Sequence, residues 1–349
     1  MKFWLVILVI CLQVWVVECQ GDEPVQSVQR SLLLPGQVQS DTPDSGDRQT
    51  LSLVRKTSAT AVSQVDLAVK AWRDRQAKIK SALFVMDCRR VLRAQTMTPP
   101  EQPEPRLPLH DVVAKNKLTA SLQENAWRVT LKGQIYHLQH QHLVDTQYLL
   151  DFDGKNYRAL MAPLDEGQPA KGVIGGDGVL DPLATTLFFT PIFYWHQSGN
   201  RAPEAIRLDP ERWQFAGEEK TRRIHGKECL MVTENRSDGA QFTLALDSQA
   251  EYSLVELQCT INGQKAFLID IENTYDRDAK VYVPSGWQAT LIQRGVLTEF
   301  YDVDVQEYRL NVPVDLEYSF PEGTIVEDYR TDTTSTAGKS QTDDRADSK

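Results

Sequence analysis

The sequence predicts an α+β protein that is mainly antiparallel β. Between residues 127 and 320, apolar residues alternate with polar ones in successive runs, as in strands with one covered face. Short turn sequences such as Asp153–Gly154 and Asn262–Gly263 separate many of these runs, which favours hairpins. An amphipathic helix precedes the runs. We therefore expect about ten to twelve strands in a meander that forms a curved sheet covered on one side.

The N-terminal sequence has the pattern of a signal peptide and predicts that the protein is exported. Lys2 supplies a positive charge, and the nearly unbroken apolar run Phe3–Val17 has signal-peptide length but is shorter than a membrane-spanning helix. We expect cleavage after Cys19, which makes residues 1–19 a signal peptide and predicts a periplasmic or secreted protein. An uncleaved anchor is one alternative. Lipidation of Cys19 is the other, and Glu18 disfavours it because a lipoprotein signal has a small residue there.

Composition divides the rest of the chain into three parts. Residues 20–58 and 331–349 are rich in polar residues without apolar periodicity, so we predict a disordered leader and a disordered tail. Residues 59–330 form a single predicted domain. A hydrophobic fraction of 41% supports a core, and the formal charge of −10 disfavours nucleic acid and anionic lipid surfaces as partners.

Cleavage at the predicted site leaves three cysteines in the mature chain, Cys88, Cys229 and Cys259. An odd number cannot form a complete set of disulfides, and no Cys-x-x-Cys motif is present. If Asn235 pairs near Ala240 and the following hairpin is in register, Cys229 and Cys259 lie at opposite ends of their strands. Their separation would be about 20 Å, beyond the ~7 Å limit between the Cα atoms of a disulfide. We therefore expect no bridge between them.

The first predicted element of the domain is an amphipathic helix. Apolar residues recur at helical spacing, with polar residues on the other side. The apolar positions are Val62, Val65, Val69, Trp72, Ile79 and Leu83. A strand at Ala82–Val91 and a proline-rich loop from Pro99 to Pro108 follow.

Strand patterns occupy most of the remaining domain. The predicted strands and hairpins are 127–135, 148–152 with 156–160, 229–235 with 241–246, 255–261 with 267–271, 289–291, 297–305 and 314–320.

One apolar, aromatic segment, Asp181–Trp195, interrupts the strands and predicts a helix that we call the aromatic helix. Asp181 and Pro182 predict a helix start, and Pro191 predicts a kink or an end. The glycine-rich run 172–178 before it predicts a loop, and no Lys-Ser or Lys-Thr follows, which excludes a phosphate-binding loop.

The aromatic helix is the candidate ligand site. Its side chains could form a lid over a hydrophobic cavity, or they could be a plug of ordinary core residues, which is the more common role of such a stripe. The candidate ligand-binding residues are Leu187, Phe188, Phe189, Ile192, Phe193 and Trp195.

A histidine cluster is the candidate metal site. On a continuous strand, His140 and His142 would point to the same side, as a two-ligand site requires. His137 would fall on the opposite face, so a third ligand is not evident. A solvated strand end is the alternative explanation.

Carboxylates on one predicted strand are a candidate pair for acid–base catalysis. Asp302 and Asp304, with or without Glu299, alternate with Tyr301 and Val303, which is typical of the solvent side of a strand. The Gly-x-Ser-x-Gly and His-Glu-x-x-His motifs of hydrolases do not occur in the sequence. The sequence therefore predicts a protein that is not an enzyme and needs no cofactor.

Three segments carry a resemblance to a known family: His225–Val232, with its Gly-Lys turn, Leu244–Asp247 and Phe320–Asp328. They resemble strands of the outer-membrane lipoprotein carrier superfamily, which includes LolA, LolB and RseB. The resemblance covers about residues 59–328, while the insertion at 98–108 and the acidic tail depart from the compact carriers. It implies a curved, incomplete β-barrel with helices covering the concave face and an acyl chain or lipoprotein held between them.

The expected function is a non-enzymatic periplasmic or secreted binding or carrier domain for an acyl chain or a lipoprotein. One alternative is an envelope sensor or scaffold whose partner is another protein. A second is a secreted hydrolase whose site the sequence does not reveal. We expect no nucleic-acid partner and no integral membrane span after cleavage.

Overall fold

The computed structural model describes residues 63–94, 108–123, 126–137, 141–162, 167–175, 188–196, 209, 212–217, 220–236, 239–293 and 295–338. These residues belong to one compact unit. The predicted signal peptide, residues 1–19, and the predicted leader, residues 20–58, lie outside the described part of the chain.

The described residues form two α-helices and sixteen strands. The helices are α1 (Gln64–Lys78) and α2 (Thr190–Trp195). The strands are β1 (Ser81–Leu92), β2 (Val112–Gln123), β3 (Trp127–His137), β4 (His142–Phe152), β5 (Tyr157–Met161), β6 (Lys171–Gly175), β7 (Gln214–Phe215), β8 (Thr221–Ile224), β9 (Lys227–Asn235), β10 (Ala240–Asp247), β11 (Ser253–Ile261), β12 (Gln264–Asp276), β13 (Val281–Gln293), β14 (Val296–Leu310), β15 (Ile325–Asp328) and β16 (Thr333–Thr336).

All sixteen strands form one open sheet. The order is β16-β15-β6-β5-β4-β3-β2-β1-β14-β13-β12-β11-β10-β9-β7, with β8 also paired to β9. Two antiparallel meanders, β1–β6 and β9–β14, join where β1 pairs with β14. The pair β15–β6 is parallel. The predicted mainly antiparallel fold is confirmed.

The sheet is strongly curved around α2. Phe193 of α2 contacts Trp127 of β3, and Trp195 of the same helix donates a hydrogen bond to the carbonyl oxygen of Tyr282 of β13. Four strand spacings separate β3 from β13 in the sheet order, which is about 19 Å in a flat sheet. Two residues of a helix rise only about 3 Å. The sheet must therefore bend round the helix, as the predicted incomplete barrel requires.

Helix α1 is stabilised at its start and ends earlier than the apolar pattern predicts. Ser63 forms a capping box with Asp66, which satisfies backbone donors of the first turn. Trp72 is buried as expected. Ile79 is the C-cap in an extended conformation, and Leu83 belongs to β1. Leu83 fits the helical spacing, but it pairs with residues of both β2 and β14, and the predicted strand at Ala82–Val91 is confirmed.

The predicted hairpins are confirmed. Residues 148–152 pair with 157–161, and 229–235 pair with 241–247. At Asn262–Gly263 both residues have positive φ, 53° and 78°, as the tight turn between β11 and β12 requires.

Three sequence expectations differ from the structure. The glycine-rich run predicted as a loop contributes its first residues to β6, since Gly172 pairs with both Leu160 and Val326. The predicted strand at 314–320 is extended but has no strand partner in the described chain. It belongs to a segment, residues 311–324, that crosses the outer face of the sheet and that we call the outer strap. Finally, β16 lies beyond Thr331, where the tail was predicted to begin.

The cysteine register agrees with the sequence argument. Cys229 pairs with Asp247, whereas Cys259 pairs with Phe242 near the other end of β10. The two thiols also lie in different apolar clusters. Burial raises the pKa of Cys229 and raises the pKa of Cys88 to about 12.

Candidate functional site

The concave face of the sheet is filled by α2, whose six residues are all buried. Phe193 packs edge-on against Trp127 of β3, with ring centroids 4.9 Å apart. Trp195 packs edge-on against Phe84 of β1 at 5.4 Å, and its Nε1 donates a hydrogen bond to the carbonyl oxygen of Tyr282 at 2.7 Å. These contacts link α2 to both meanders.

The candidate ligand-binding residues lie together on this face. The described members are all buried: Phe188, Phe189, Ile192, Phe193 and Trp195. Leu187 lies outside the described residues. Phe188 extends the contact to Tyr301 of β14, edge-on at 4.8 Å. The side chains share one apolar surface, and their role toward a ligand stays a prediction.

Pro191 lies in the first turn of α2 and not at its end. Phe189 is the N-cap, and Pro191 occupies the first turn, where its missing N–H costs no hydrogen bond. The backbone N–H of Phe193 donates to the carbonyl oxygen of Phe189 at 3.0 Å and closes the turn. Pro191 therefore does not end α2, and the start at Asp181 of the helix that it was predicted to kink or end lies outside the described residues.

A small cavity lies beside α2, where the helix approaches α1. Its volume is about 10 Å³. That is room for about one water molecule, whereas a pocket for a small organic ligand measures roughly 300 Å³ or more. The lining residues are Trp72, Arg75, Pro191, Trp195, Leu254, Ile271, Asn273 and Pro284. A chain-like ligand at this place would need the space that α2 occupies.

Within the described chain, Tyr194 of α2 and its C-cap His196 bury polar atoms that lack hydrogen-bond partners. In the described chain, the Tyr194 hydroxyl and Nε2 of His196 have no hydrogen-bond partner. Burial raises the pKa of Tyr194 well above its ordinary value and lowers that of His196 to about 4, because both charged forms are poorly solvated there. Each unsatisfied buried group costs about 1–3 kcal/mol. The site is thus apolar and held by few polar contacts.

The histidines do not have the predicted arrangement. The chain turns between β3 and β4, with Gln141 at φ 54°, so His137 and His142 become cross-strand partners with stacked rings 6.3 Å apart. His137 therefore lies on the same side as His142, because the strand is not continuous as the prediction assumed. His140 lies outside the described residues. Among the described residues no cluster of three or more His, Cys, Asp or Glu could hold a metal ion.

The carboxylates of β14 are divided between the two faces of the sheet. Asp302 and Asp304 are exposed, as predicted for a solvent side. Glu299 is 8% exposed and lies on the inner face, so its grouping with them is wrong. Its Oε2 accepts hydrogen bonds from Arg90 at 2.8 Å and from the Tyr301 hydroxyl. The sequence signal for this placement is spacing: Glu299 and Tyr301 are two residues apart on one strand, so their side chains point to the same face of the sheet.

Arg75 is a buried site residue that sequence reasoning missed. It is 2% exposed on α1 and lines the cavity beside α2. The signal is its spacing, since Ala68, Trp72, Arg75 and Ile79 follow one helical stripe. A charged residue within an apolar stripe is informative because a charge is rarely buried without a partner.

The solved structures that resemble this chain share little sequence with it. No family model matches the chain, and no curated protein matches it. A putative outer-membrane lipoprotein-sorting protein domain from Vibrio parahaemolyticus shares 10% identity with a TM-score of 0.44, covering 72% of this chain and 95% of that one. A LolA superfamily protein from Nitrosomonas europaea shares 10% identity with a TM-score of 0.38, covering 70% and 94%. An uncharacterized conserved protein from Thermus thermophilus shares 8% identity with a TM-score of 0.31, covering 75% and 99%.

Proposed function

We propose that this protein is an exported, non-enzymatic carrier that binds an acyl chain, free or attached to a lipoprotein, between its curved sheet and α2. In this proposal α2 is an exchangeable cover that the ligand displaces. The supporting observation is that α2 places six consecutive buried residues on the concave face while its Tyr194 hydroxyl and His196 Nε2 lack partners in the described chain.

The cost of moving α2 is lowered by its length and its polar contacts. A helix of six residues is too short to be stable alone, so packing determines its position. An acyl chain offers the sheet the same kind of apolar contact. If α2 left the sheet, Tyr194 and His196 would become exposed to water and could form hydrogen bonds with it. The free-energy cost of burying them without partners would then disappear. The hydrogen bond from Trp195 to the Tyr282 carbonyl oxygen must break when α2 moves.

The test compares stability and uptake in the same variants. Replacing Phe189 and Phe193 by Ser should cost little stability if the two side chains belong to a cover that separates from the sheet. It should cost about 3 kcal/mol or more per residue if they are permanent core. Denaturant midpoints and binding of a fluorescent fatty acid would be measured on protein purified without detergent.

Met231→Ser is the matched control, because Met231 is buried in the smaller cluster on the other face of the sheet. We expect it to lower the midpoint without changing uptake. Lost uptake with a preserved midpoint in the Phe189→Ser/Phe193→Ser variant supports the carrier. A wild type without uptake and a variant that unfolds would make α2 a plug and end the acyl-chain proposal.

A scaffold or sensor is the second candidate, and the sheet edge favours it. Strand β16 pairs with β15 on one side only within the described chain, and Thr333–Ser335 are exposed. An unpaired edge can accept a strand of another protein. Native mass spectrometry of the mature protein separates the two candidates, since a co-purified lipid mass supports the carrier and a co-purified polypeptide mass supports the scaffold.

A further inference from the structure

Arg75 is the buried charge that the proposed function leaves without a role. Its guanidinium lies over the Trp72 ring, 5.2 Å from the centroid, and Nη1 donates to the Ser253 hydroxyl at 3.5 Å. Nε has no hydrogen-bond partner in the described chain. These are weak contacts for a group that carries a full charge and five donors. The guanidinium can therefore accept an additional ligand.

No carboxylate in the described chain forms an ion pair with Arg75. Glu251 attracts it from longer range, and Glu251 itself pairs with Lys78 at 3.7 Å. Burial lowers the pKa of Arg75 to about 10, so the group is still charged at neutral pH. A buried charge without a counter-charge is strongly destabilising. An anion at this position would stabilise the protein.

The position for such an anion is the cavity beside α2, which Arg75 lines. Apart from Arg75, its polar lining residue is Asn273, whose Nδ2 already donates to the Leu254 carbonyl oxygen at 2.8 Å. Pro191 and Trp195 form the wall on the α2 side. If α2 is displaced, that wall is removed and the small cavity becomes continuous with the apolar surface that α2 covered. One charged group would then lie at the end of an apolar site, an arrangement that suits a ligand with a charged head and an apolar chain.

We propose that Arg75 binds the head group of a long-chain fatty carboxylate whose chain takes the place of α2. The inference rests on the proposed function and makes it more specific. The guanidinium group can donate two parallel hydrogen bonds to the two oxygens of a carboxylate and balances its negative charge. An ester or amide carbonyl has neither the second equivalent oxygen nor the charge. The preferred ligand is therefore a free acid and not an esterified acyl chain.

The test uses matched ligands on the full mature protein. Dodecanoate and methyl dodecanoate have the same chain and differ in head-group charge. Their affinities would be measured by displacement of the uncharged dye N-phenylnaphthylamine. We expect the wild type to bind the acid at least tenfold more tightly than the ester, and Arg75→Met to bind both with the weaker affinity. Arg75→Lys should retain part of the preference, because it keeps the charge without the fork.

Two controls separate this site from general charge and from folding. Arg73→Met removes an exposed arginine of the same helix and should leave the preference unchanged. Arg75→Met should melt at or above the wild-type temperature without ligand, since it removes an uncompensated buried charge. A purely structural Arg75 would instead give a lower melting temperature.

The outcomes distinguish the two proposals. Equal affinity of the wild type for acid and ester, or a preference that persists in Arg75→Met, overturns the role of Arg75 and leaves the carrier intact. Dodecyl phosphate bound more tightly than dodecanoate overturns the carboxylate assignment. A wild type that binds neither dodecanoate nor its ester overturns the carrier itself, and the Arg75 inference with it.

Discussion

Buried polar side chains in this protein differ in whether they have partners. Glu299 is held by Arg90 and Tyr301, and Asp151 by Arg128 and Arg158. Removing one member of such a set leaves a buried charge unpaired, which makes these residues structural. Arg128 also has a buried Nη2 without a partner, but it is paired with Asp151, whereas Arg75 of α1 has no carboxylate partner in the described chain.

The burial of His196 predicts that the free energy of unfolding depends on pH. Its pKa is about 4 in the folded state against 6.5 in the ordinary case, because burial penalises the charged ring. A group with a lowered folded-state pKa contributes stability that is fully present above pH 6.5 and is lost as the pH falls toward 4. The loss is on the order of 3 kcal/mol. Denaturant unfolding of the wild type and His196→Gln at pH 7 and pH 4.5 measures it.

We expect the wild type to lose more stability than His196→Gln over this interval. The variant supplies the control, because the carboxylates that also titrate at low pH are the same in both proteins. Parallel losses in the two proteins would show that His196 is already accessible to protons in the folded state.

The outer strap is an element whose position depends on side chains and not on strand pairing. The Tyr318 ring lies near the guanidinium groups of Arg128 and Arg158, 5.3 and 5.7 Å from its centroid. Phe320 packs edge-on against Tyr318 at 5.2 Å and covers Gly172 of β6. The strap therefore joins the outer face of the first meander to the C-terminal strands β15 and β16.

Gly172→Ala tests this docking. An added Cβ would lie 2.6 Å from a ring carbon of Phe320, so the strap or β6 must shift. We expect a loss of about 1–3 kcal/mol in the free energy of unfolding. Phe320→Ala in the same chain should recover most of the loss relative to Phe320→Ala alone. Denaturant unfolding of the two single variants and the double variant measures the coupling, and additive effects would contradict the contact.

At the scale of the whole molecule, the strap carries the chain from the middle of the sheet to one edge. It leaves β14, crosses outside the first meander, and adds β15 in parallel to β6. Strand β16 then covers the outer edge of β15. Both described helices lie on the inner face, and neither is long and apolar enough to cross a membrane.

Truncation tests where the ordered chain ends. A chain that stops at Gly338 should unfold at the same denaturant midpoint as the full chain. One that stops at Arg330 lacks β16 and should lose about 1–2 kcal/mol, since the backbone hydrogen bonds to β15 are lost. Equal midpoints for all three chains would restore the predicted tail boundary at Thr331.

The sequence was sufficient where the determining interactions are local. Alternation of apolar and polar residues placed β3, β4, β9 to β12 and β14, and turn residues such as Asn262–Gly263 placed the hairpins between several of them. It did not reveal β2, whose inner face begins with Ala114 and Asn116 and so lacks a strong apolar pattern. Those residues are strand because β1 and β3 pair with them on both sides.

The apolar character of the site was also local, since the aromatic run 188–195 is evident in the sequence. Tertiary structure alone decided what surrounds that run. It determined that Pro191 lies in the first turn of α2, that Glu299 turns inward to Arg90, and that Arg75 is buried without a carboxylate partner in the described chain. Each of these depends on which distant strand or helix packs against the residue. Spacing along the chain cannot specify that, because the contacts join residues far apart in sequence.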